Sequence, residues 1–149
     1  MNTQTNLKIP PAVVVLLLTV VTWFVRDAVR VEGRPVVALL LLLTACLFVG
    51  LGGYAFRRAA TTVDPLQPHK ATALVVTGIY RFTRNPMYVG FALLLAAWAI
   101  YLGSVIGLAL LPLFILYMNR FQIAREEAAL LERFGESYRS YCRQVRRWV

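Results

Sequence analysis

An unbroken apolar stretch runs from Pro35 to Phe56 without a charged side chain and limits the possible folds more than any other feature of the chain. Uncharged runs of about 18 or more residues are typical of membrane-spanning helices, which satisfy their own backbone hydrogen bonds in lipid. Hydrophobic residues make up 59% of the chain, so the rest of the sequence has the same character. The sequence therefore predicts a single integral membrane domain over residues 1–149.

Four apolar segments predict an all-α helical bundle of about four transmembrane helices. They lie at residues 11–25, 35–56, 87–102 and 104–118. Gly103 and Ser104 divide the last two into a tight hairpin, and Pro112 is expected to kink its second arm. A polar loop, residues 57–86, precedes the hairpin, and a charged tail, residues 119–149, follows it.

The basic side chains lie mainly on one side of this predicted bundle. The loop after the first segment carries Arg26, Arg30 and Arg34, whereas the 57–86 loop and the 119–149 tail carry most of the other basic residues. Because basic loops stay on the cytoplasmic side, we expect both termini and the 57–86 loop in the cytoplasm. Basic residues at helix ends also explain the net charge of +9, so the charge does not require that the protein binds nucleic acid.

The first part of the tail predicts a cytoplasmic amphipathic helix that ends near Gly135. Its apolar face consists of Phe121, Ala124, Ala128, Leu131 and Phe134. Glu127 leans onto that face and needs a partner, which is either a ligand's hydroxyls or amine, or a substrate-facing arginine that it supports. A structural salt bridge is the alternative. Its candidate partners are Arg81, Arg84 and Arg120. Glu126 points nearly opposite, where we expect a solvated position.

The stretch from Arg84 to Tyr88 combines polar side chains with the start of the third apolar segment. Pro86 suits the first turn of a helix, and Asn85 before it can cap that helix. The amides at such a helix start favour an anionic group such as a carboxylate. A structural interpretation explains the same residues as a cap, an arginine at the membrane interface and a tyrosine of an aromatic belt.

Five glycines leave alternatives open. Gly78 and Gly90 either let a ligand approach the backbone or serve a turn and a helix contact. Gly50, Gly52 and Gly53 either permit close helix approach or loosen the second segment near its end.

Side chains for metal or covalent chemistry are few, and no metal site is predicted. His69 has no partner histidine, and Cys46 and Cys142 match no metal-ligand spacing. Cys142 also lacks a neighbour in the sequence that could activate it as a nucleophile. No phosphate-binding or dinucleotide motif occurs. Chemistry that depends on positioning and electrostatics is therefore favoured.

Two stretches resemble the isoprenylcysteine carboxyl methyltransferase family, a relative of the membrane phospholipid methyltransferases: LVVTGIYRFTRNPMYVG and REEAALLERFGESYRSYCRQVRRW. The matching motifs are Leu74 to Tyr80, Arg84 to Gly90, Glu126 to Leu130 and Phe134 to Tyr141. Their order and spacing follow the family pattern over about half of the chain. Asn85 stands where the family usually has histidine, as it often does in bacterial-type members.

The resemblance implies S-adenosylmethionine as the methyl donor, bound between the two stretches. The cofactor-binding residues that it implies are Leu74, Val75, Val76, Gly78, Tyr80, Asn85, Pro86, Tyr88, Gly90, Glu126 and Glu127. It implies Arg84 and Glu127 as the catalytic pair nearest the reacting group.

The expected function is a methyltransferase of a bacterial inner membrane. Its partners would be membrane lipids and a lipophilic small-molecule acceptor, such as an isoprenylcysteine carboxylate or another lipid, but no nucleic acid. One alternative is a membrane reductase that uses NAD(P)H. Another is a non-catalytic scaffold or ligand-binding protein. The sequence leaves the acceptor atom and the oligomeric state open.

Overall fold

The computed structural model describes residues 9–27, 29, 32–59 and 72–149. Within these ranges the regular structure is entirely helical, so the all-α prediction is confirmed there. The α-helices are α1 Pro11–Phe24, α2 Arg34–Arg58, α3 Pro86–Leu102, α4 Val105–Tyr117 and α5 Ala124–Gln144. A 3₁₀ turn, Gly78–Arg81, precedes α3, and a π-helical turn, Met118–Ile123, joins α4 to α5. The predictions about Arg30, His69 and much of the 57–86 loop lie outside the described residues.

Two helices in the described part of the chain are long and apolar enough to cross a membrane. One is α2, and the other is the long helix Val105–Gln144, in which α4, the π-helical turn and α5 follow one another. α1 and α3 are also apolar but contain only 14 and 17 residues. At about 1.5 Å per residue both fall short of a hydrocarbon core about 30 Å thick. The number of four spans therefore stays a prediction.

Small residues let α2 and α3 pack closely. A Cβ atom on Gly90 would lie 2.6 Å from Val49 Cγ2 and 2.9 Å from the carbonyl oxygen of Ala45. A Cβ atom on Gly52 would lie 2.8 Å from Met87 Cγ. Both glycines are therefore helix contacts, and close helix approach is confirmed for Gly52.

α3 and α4 form the expected hairpin. Gly103 follows α3 with a φ of 68°, a value that glycine adopts without steric cost. The hydroxyl of Ser104 accepts a hydrogen bond of 3.0 Å from the amide of Gly107 and caps α4. Asp27 accepts from the first backbone amides of α4, which fixes the loop after α1 to the hairpin. The kink expected at Pro112 stays a prediction.

The main core lies where α1, α3 and the π-helical turn meet. Phe114, Met118 and Ile123 are at most 1% exposed. Tyr88 and Leu95 of α3 pack in the same cluster. The π-helical turn thus packs into the core through Met118, Gln122 and Ile123, and it leads directly into α5.

A second apolar cluster anchors the end of α5 to the segment before α3. Tyr138, Tyr141 and Val145 are buried there and pack against Leu74. The hydroxyl of Tyr141 donates a hydrogen bond of 2.7 Å to the carbonyl oxygen of Tyr80. This cluster brings together the two stretches that carry the family resemblance.

Candidate active site

A cleft of about 580 Å³ opens beside α5. The helix bends at Gly135, whose φ of 52° and ψ of −123° are not helical, and it then continues to Gln144. Residues on both sides of the bend therefore line one cleft. Its apolar wall consists of Ala124, Ala128 and Leu131. The predicted stop at Gly135 is confirmed as a break in the helix, and the cleft volume is typical of small-molecule sites.

Arg84 is the residue of the segment before α3 that reaches the cleft. Its side chain is only 14% exposed, and its Nη1 lies 3.0 Å from Glu127 Oε1. Within the described part of the chain, Nε of Arg84 is buried and has no hydrogen-bond partner. A buried donor without an acceptor costs about 1–3 kcal/mol, and cationic groups cost more. Unsatisfied buried donors are uncommon in folded proteins, so this one marks Arg84 as a candidate functional residue.

Glu127 is held by two arginines. Besides Arg84, the guanidinium of Arg147 donates from Nε to Oε1 at 3.0 Å and from Nη2 to Oε2 at 2.5 Å. The hydrogen bonds to Glu127 are the main reason why the pKa of Arg147 is raised. Two guanidinium groups against one carboxylate leave the cluster with a net positive charge, which favours an anionic ligand.

The alternative of a salt bridge is thus present with Arg84, whereas the other two candidate partners, Arg81 and Arg120, are exposed. Both oxygens of Glu127 already accept hydrogen bonds from guanidinium groups. Glu127 therefore holds the two arginines, and its contact with a ligand's hydroxyls or amine stays a prediction. Sequence reasoning missed Arg147 altogether, because no local spacing connects it with a glutamate twenty residues earlier.

The expectation that Glu126 is solvated is wrong. Its Oε1 accepts hydrogen bonds of 2.5 Å from the hydroxyl of Tyr88 and 2.6 Å from Nε2 of Gln122. Glu126 lies in α5, beyond the apolar part of the long helix, and burial raises its pKa to about 7. The reason for the error is the orientation of α5: its apolar face lines the cleft, and the opposite face, which carries Glu126, packs against α3.

The structural interpretation of Tyr88 as part of an aromatic belt and of Asn85 as a helix cap does not agree with the structure. Tyr88 is 5% exposed and is bonded to Glu126, so it is not part of an exposed aromatic belt. Asn85 occupies the position before α3 but makes no side-chain cap. Its amide instead donates a hydrogen bond of 2.9 Å to the carbonyl oxygen of Arg147. Pro86 begins α3 and is buried, as its place in the sequence predicts.

Cys142 has a partner that the sequence did not reveal. Nη1 of Arg84 lies 2.6 Å from its sulfur, and both residues line the cleft. α5 brings Cys142 to this residue far away in sequence, and the expectation that Cys142 has no activating neighbour stays a prediction.

The structure brings only part of the predicted set into the cleft. Arg84 and Glu127 line it. Val75 and Tyr80 are buried behind it, Leu74 packs in the cluster of Tyr138 and Tyr141, and Val76 and Gly78 are exposed. Gly90 lies where α3 crosses α2, which agrees with the alternative that it serves a helix contact. The cofactor-binding roles of these residues stay predictions.

The sequence profile described as phospholipid methyltransferase matches residues 33–137, which is more than half of the chain. The chain belongs to the phospholipid methyltransferase family. The matched range includes Arg84, Glu127 and the apolar wall of the cleft. Cys142 and Arg147 lie beyond it.

Two curated proteins resemble this member of the phospholipid methyltransferase family. An uncharacterized protein from Haemophilus influenzae is 46% identical over 63 residues, which are 42% of this chain and all of that protein. A protein-S-isoprenylcysteine O-methyltransferase from Schizosaccharomyces pombe is 35% identical over 77 residues, which are 52% of this chain but only 33% of that protein. No solved structure matches the chain. The predicted resemblance is confirmed at the level of the family.

Proposed function

We propose that this protein uses S-adenosylmethionine to methylate a lipophilic or membrane-embedded small molecule. Membership of the phospholipid methyltransferase family supports the reaction class. The observation that carries the proposal is Arg84, a nearly buried guanidinium at a cleft, held by Glu127 and with one donor left without an acceptor.

The chemistry of the cleft fits S-adenosylmethionine, which carries a carboxylate, an amine, hydroxyls and a flat heterocycle. Arg84 would bind a carboxylate through the part of its guanidinium that reaches the cleft, because planar guanidinium groups match that anion. The apolar wall of Ala124, Ala128 and Leu131 would cover an uncharged part of the ligand. Arg139 and Arg143 at the cleft share Glu136 as an ion-pair partner, so these three side chains add one net positive charge for an anionic ligand.

S-adenosylmethionine would supply a methyl group that is already electrophilic, so the protein needs no nucleophile of its own. Arg84 would orient a carboxylate, of the methyl donor or of the acceptor, at the cleft. Glu127 prevents this guanidinium from turning away, since it accepts from Nη1. The apolar wall would keep water from the reacting atoms, which strengthens each of these electrostatic contacts.

We further propose that the protein lies in a bacterial inner membrane with both termini and the cleft in the cytoplasm. The arginines at the end of α2, Arg57 and Arg58, and those around the cleft support this orientation. A membrane-impermeant thiol reagent should label Cys142 in inverted vesicles of a Cys46→Ser variant, but not in right-side-out vesicles. Labelling in right-side-out vesicles alone would reverse the orientation.

Calorimetric titration with S-adenosylhomocysteine, compared with NADPH, tests the function. The detergent-purified protein should bind S-adenosylhomocysteine and not NADPH, and Glu127→Ala should weaken binding about tenfold or more, because Arg84 loses its support. Glu132→Ala is the matched control, since Glu132 is an exposed glutamate of the same helix. Binding of NADPH alone would favour a reductase. No heat with either ligand, from protein shown to be folded, would favour a non-catalytic scaffold.

A further inference from the structure

The residues that follow α5, which we call the strap (residues 145–148), are hydrogen-bonded to the segment before α3. The backbone amide of Arg84 donates a hydrogen bond of 3.0 Å to the carbonyl oxygen of Arg146. The carbonyl oxygen of Arg147 accepts from the side chains of Asn85 at 2.9 Å and Thr83 at 3.3 Å. Thr83 is fully buried. The backbone of the strap therefore fixes three consecutive residues at the edge of the cleft.

Side chains of the strap fix it at three further points. Val145 is buried, and Nε1 of Trp148 donates a hydrogen bond of 3.0 Å to Oδ1 of Asn119 in the π-helical turn. Arg147 donates to both carboxylate oxygens of Glu127. The strap thus connects the turn before α3, the π-helical turn and α5, which are the elements that surround the candidate site.

We propose that the strap is a positioning element of the site and that Arg147 is its positioning residue, acting on Arg84 through Glu127. This inference rests on the proposed function, because the ligand that Arg84 binds is the one proposed above. A carboxylate bound by one arginine can rotate about its last bond, whereas a two-point contact from Arg147 fixes both oxygens.

The neighbouring arginine provides a matched control. Arg147→Gln and Arg146→Gln each remove one positive charge from the strap, and each keeps the backbone carbonyl that accepts a hydrogen bond. The side chain of Arg146 is exposed, so only the first change alters the contact with Glu127. We expect Arg147→Gln to weaken binding of S-adenosylhomocysteine about tenfold, and Arg146→Gln less than about twofold. Equal losses of affinity in the two variants would show that only the overall charge matters, and this result would overturn the proposal.

A mutant cycle tests whether Arg147 acts through Glu127. In a Glu127→Gln background, Arg147→Gln should cost less than about twofold in affinity, because the carboxylate that it positions is already absent. Arg147→Lys should recover only part of the affinity, since an ammonium group cannot contact both oxygens with fixed geometry. A full loss in the Glu127→Gln background would show that Arg147 contributes independently of Glu127 and would contradict the proposal.

Hydrogen exchange of the backbone tests the strap without any ligand. The amide of Arg84 should exchange at least about tenfold faster in Arg147→Gln than in wild type or Arg146→Gln, because its acceptor lies in the strap. Thermal unfolding by circular dichroism checks that each variant folds. If wild type binds no S-adenosylhomocysteine, the proposed function fails, and the exchange rates alone decide whether the strap holds Arg84. Equal exchange in all three proteins would overturn the strap as well.

Discussion

Replacing Glu127 with glutamine should destabilise the folded protein by about 3 kcal/mol. The side chains of Arg84 and Glu127 are 14% and 19% exposed, so the change leaves a nearly buried guanidinium without its counter-charge. Removal of one partner of a buried ion pair costs about 3–5 kcal/mol, and the glutamine carbonyl retains part of the hydrogen bonding. In a chain of this size about 1 kcal/mol shifts the midpoint of thermal unfolding by about 2–4 °C. The midpoint should therefore fall by about 6–12 °C.

A second substitution shows which arginine causes this loss. In the Glu127→Gln background, Arg84→Met should recover most of the lost stability, because it removes the buried charge that has no partner. Arg147→Met should recover little, because the Arg147 side chain is 37% exposed and can turn to water.

The assay is thermal unfolding followed by circular dichroism in one fixed detergent. Glu132→Gln serves as the control, since Glu132 is exposed on the same helix and should leave the midpoint unchanged. The reasoning is refuted if Glu127→Gln unfolds at the same temperature as this control. It is also refuted if Arg147→Met restores stability as well as Arg84→Met does, because burial would then not determine the cost.

Two further predictions concern α3 and α5. Gly90→Ala should lower the midpoint of thermal unfolding, because the new Cβ atom would lie 2.9 Å from the carbonyl oxygen of Ala45. Gly50→Ala has open space around it and should raise the free energy of unfolding by up to about 1 kcal/mol. The reverse order of the two midpoints would contradict the close packing of α2 and α3. Burial raises the pKa of Glu126 from 4.5 to about 7. Between these pH values the folded protein retains a proton that the unfolded chain has lost, so stability should fall as pH rises, by up to about 3 kcal/mol in total. The midpoint of thermal unfolding of the wild type should fall between pH 5 and pH 8, and that of Glu126→Gln should not show this fall. Parallel curves for the two proteins would exclude Glu126 as its source.

The positions of the helices followed from local sequence signals. α2, α3 and α4 coincide within a few residues with the apolar segments 35–56, 87–102 and 104–118. Proline at the start of a helix and glycine after its end leave marks in the sequence that do not depend on tertiary contacts. The π-helical turn leaves no such mark, because one extra residue in a helical turn changes hydrogen bonding without requiring a particular composition.

The site was less predictable, because its contacts connect distant parts of the chain. The sequence identified Glu127 as a carboxylate that needs a partner, and it named Arg84 among the candidates. It could not identify Arg147 or the contact between Arg84 and Cys142, which depend on how the end of α5 packs on the segment before α3. Projection on a helical wheel shows which residues share a face, but it does not show which face packs against the bundle.

The orientation of α5 is the strongest structural argument for a ligand. Amphipathic helices normally bury their apolar face, yet α5 turns Ala124, Ala128 and Leu131 to an open cleft and packs Glu126 against α3. Exposing apolar side chains to water is unfavourable, whereas the burial of Glu126 is compensated by its hydrogen bonds to Tyr88 and Gln122. Such departures from the usual pattern are expected at functional sites, where a bound molecule covers the exposed surface. A ligand with an apolar part against this wall and an anionic group at Arg84 would cover the exposed apolar surface and offset the positive charge of the cluster.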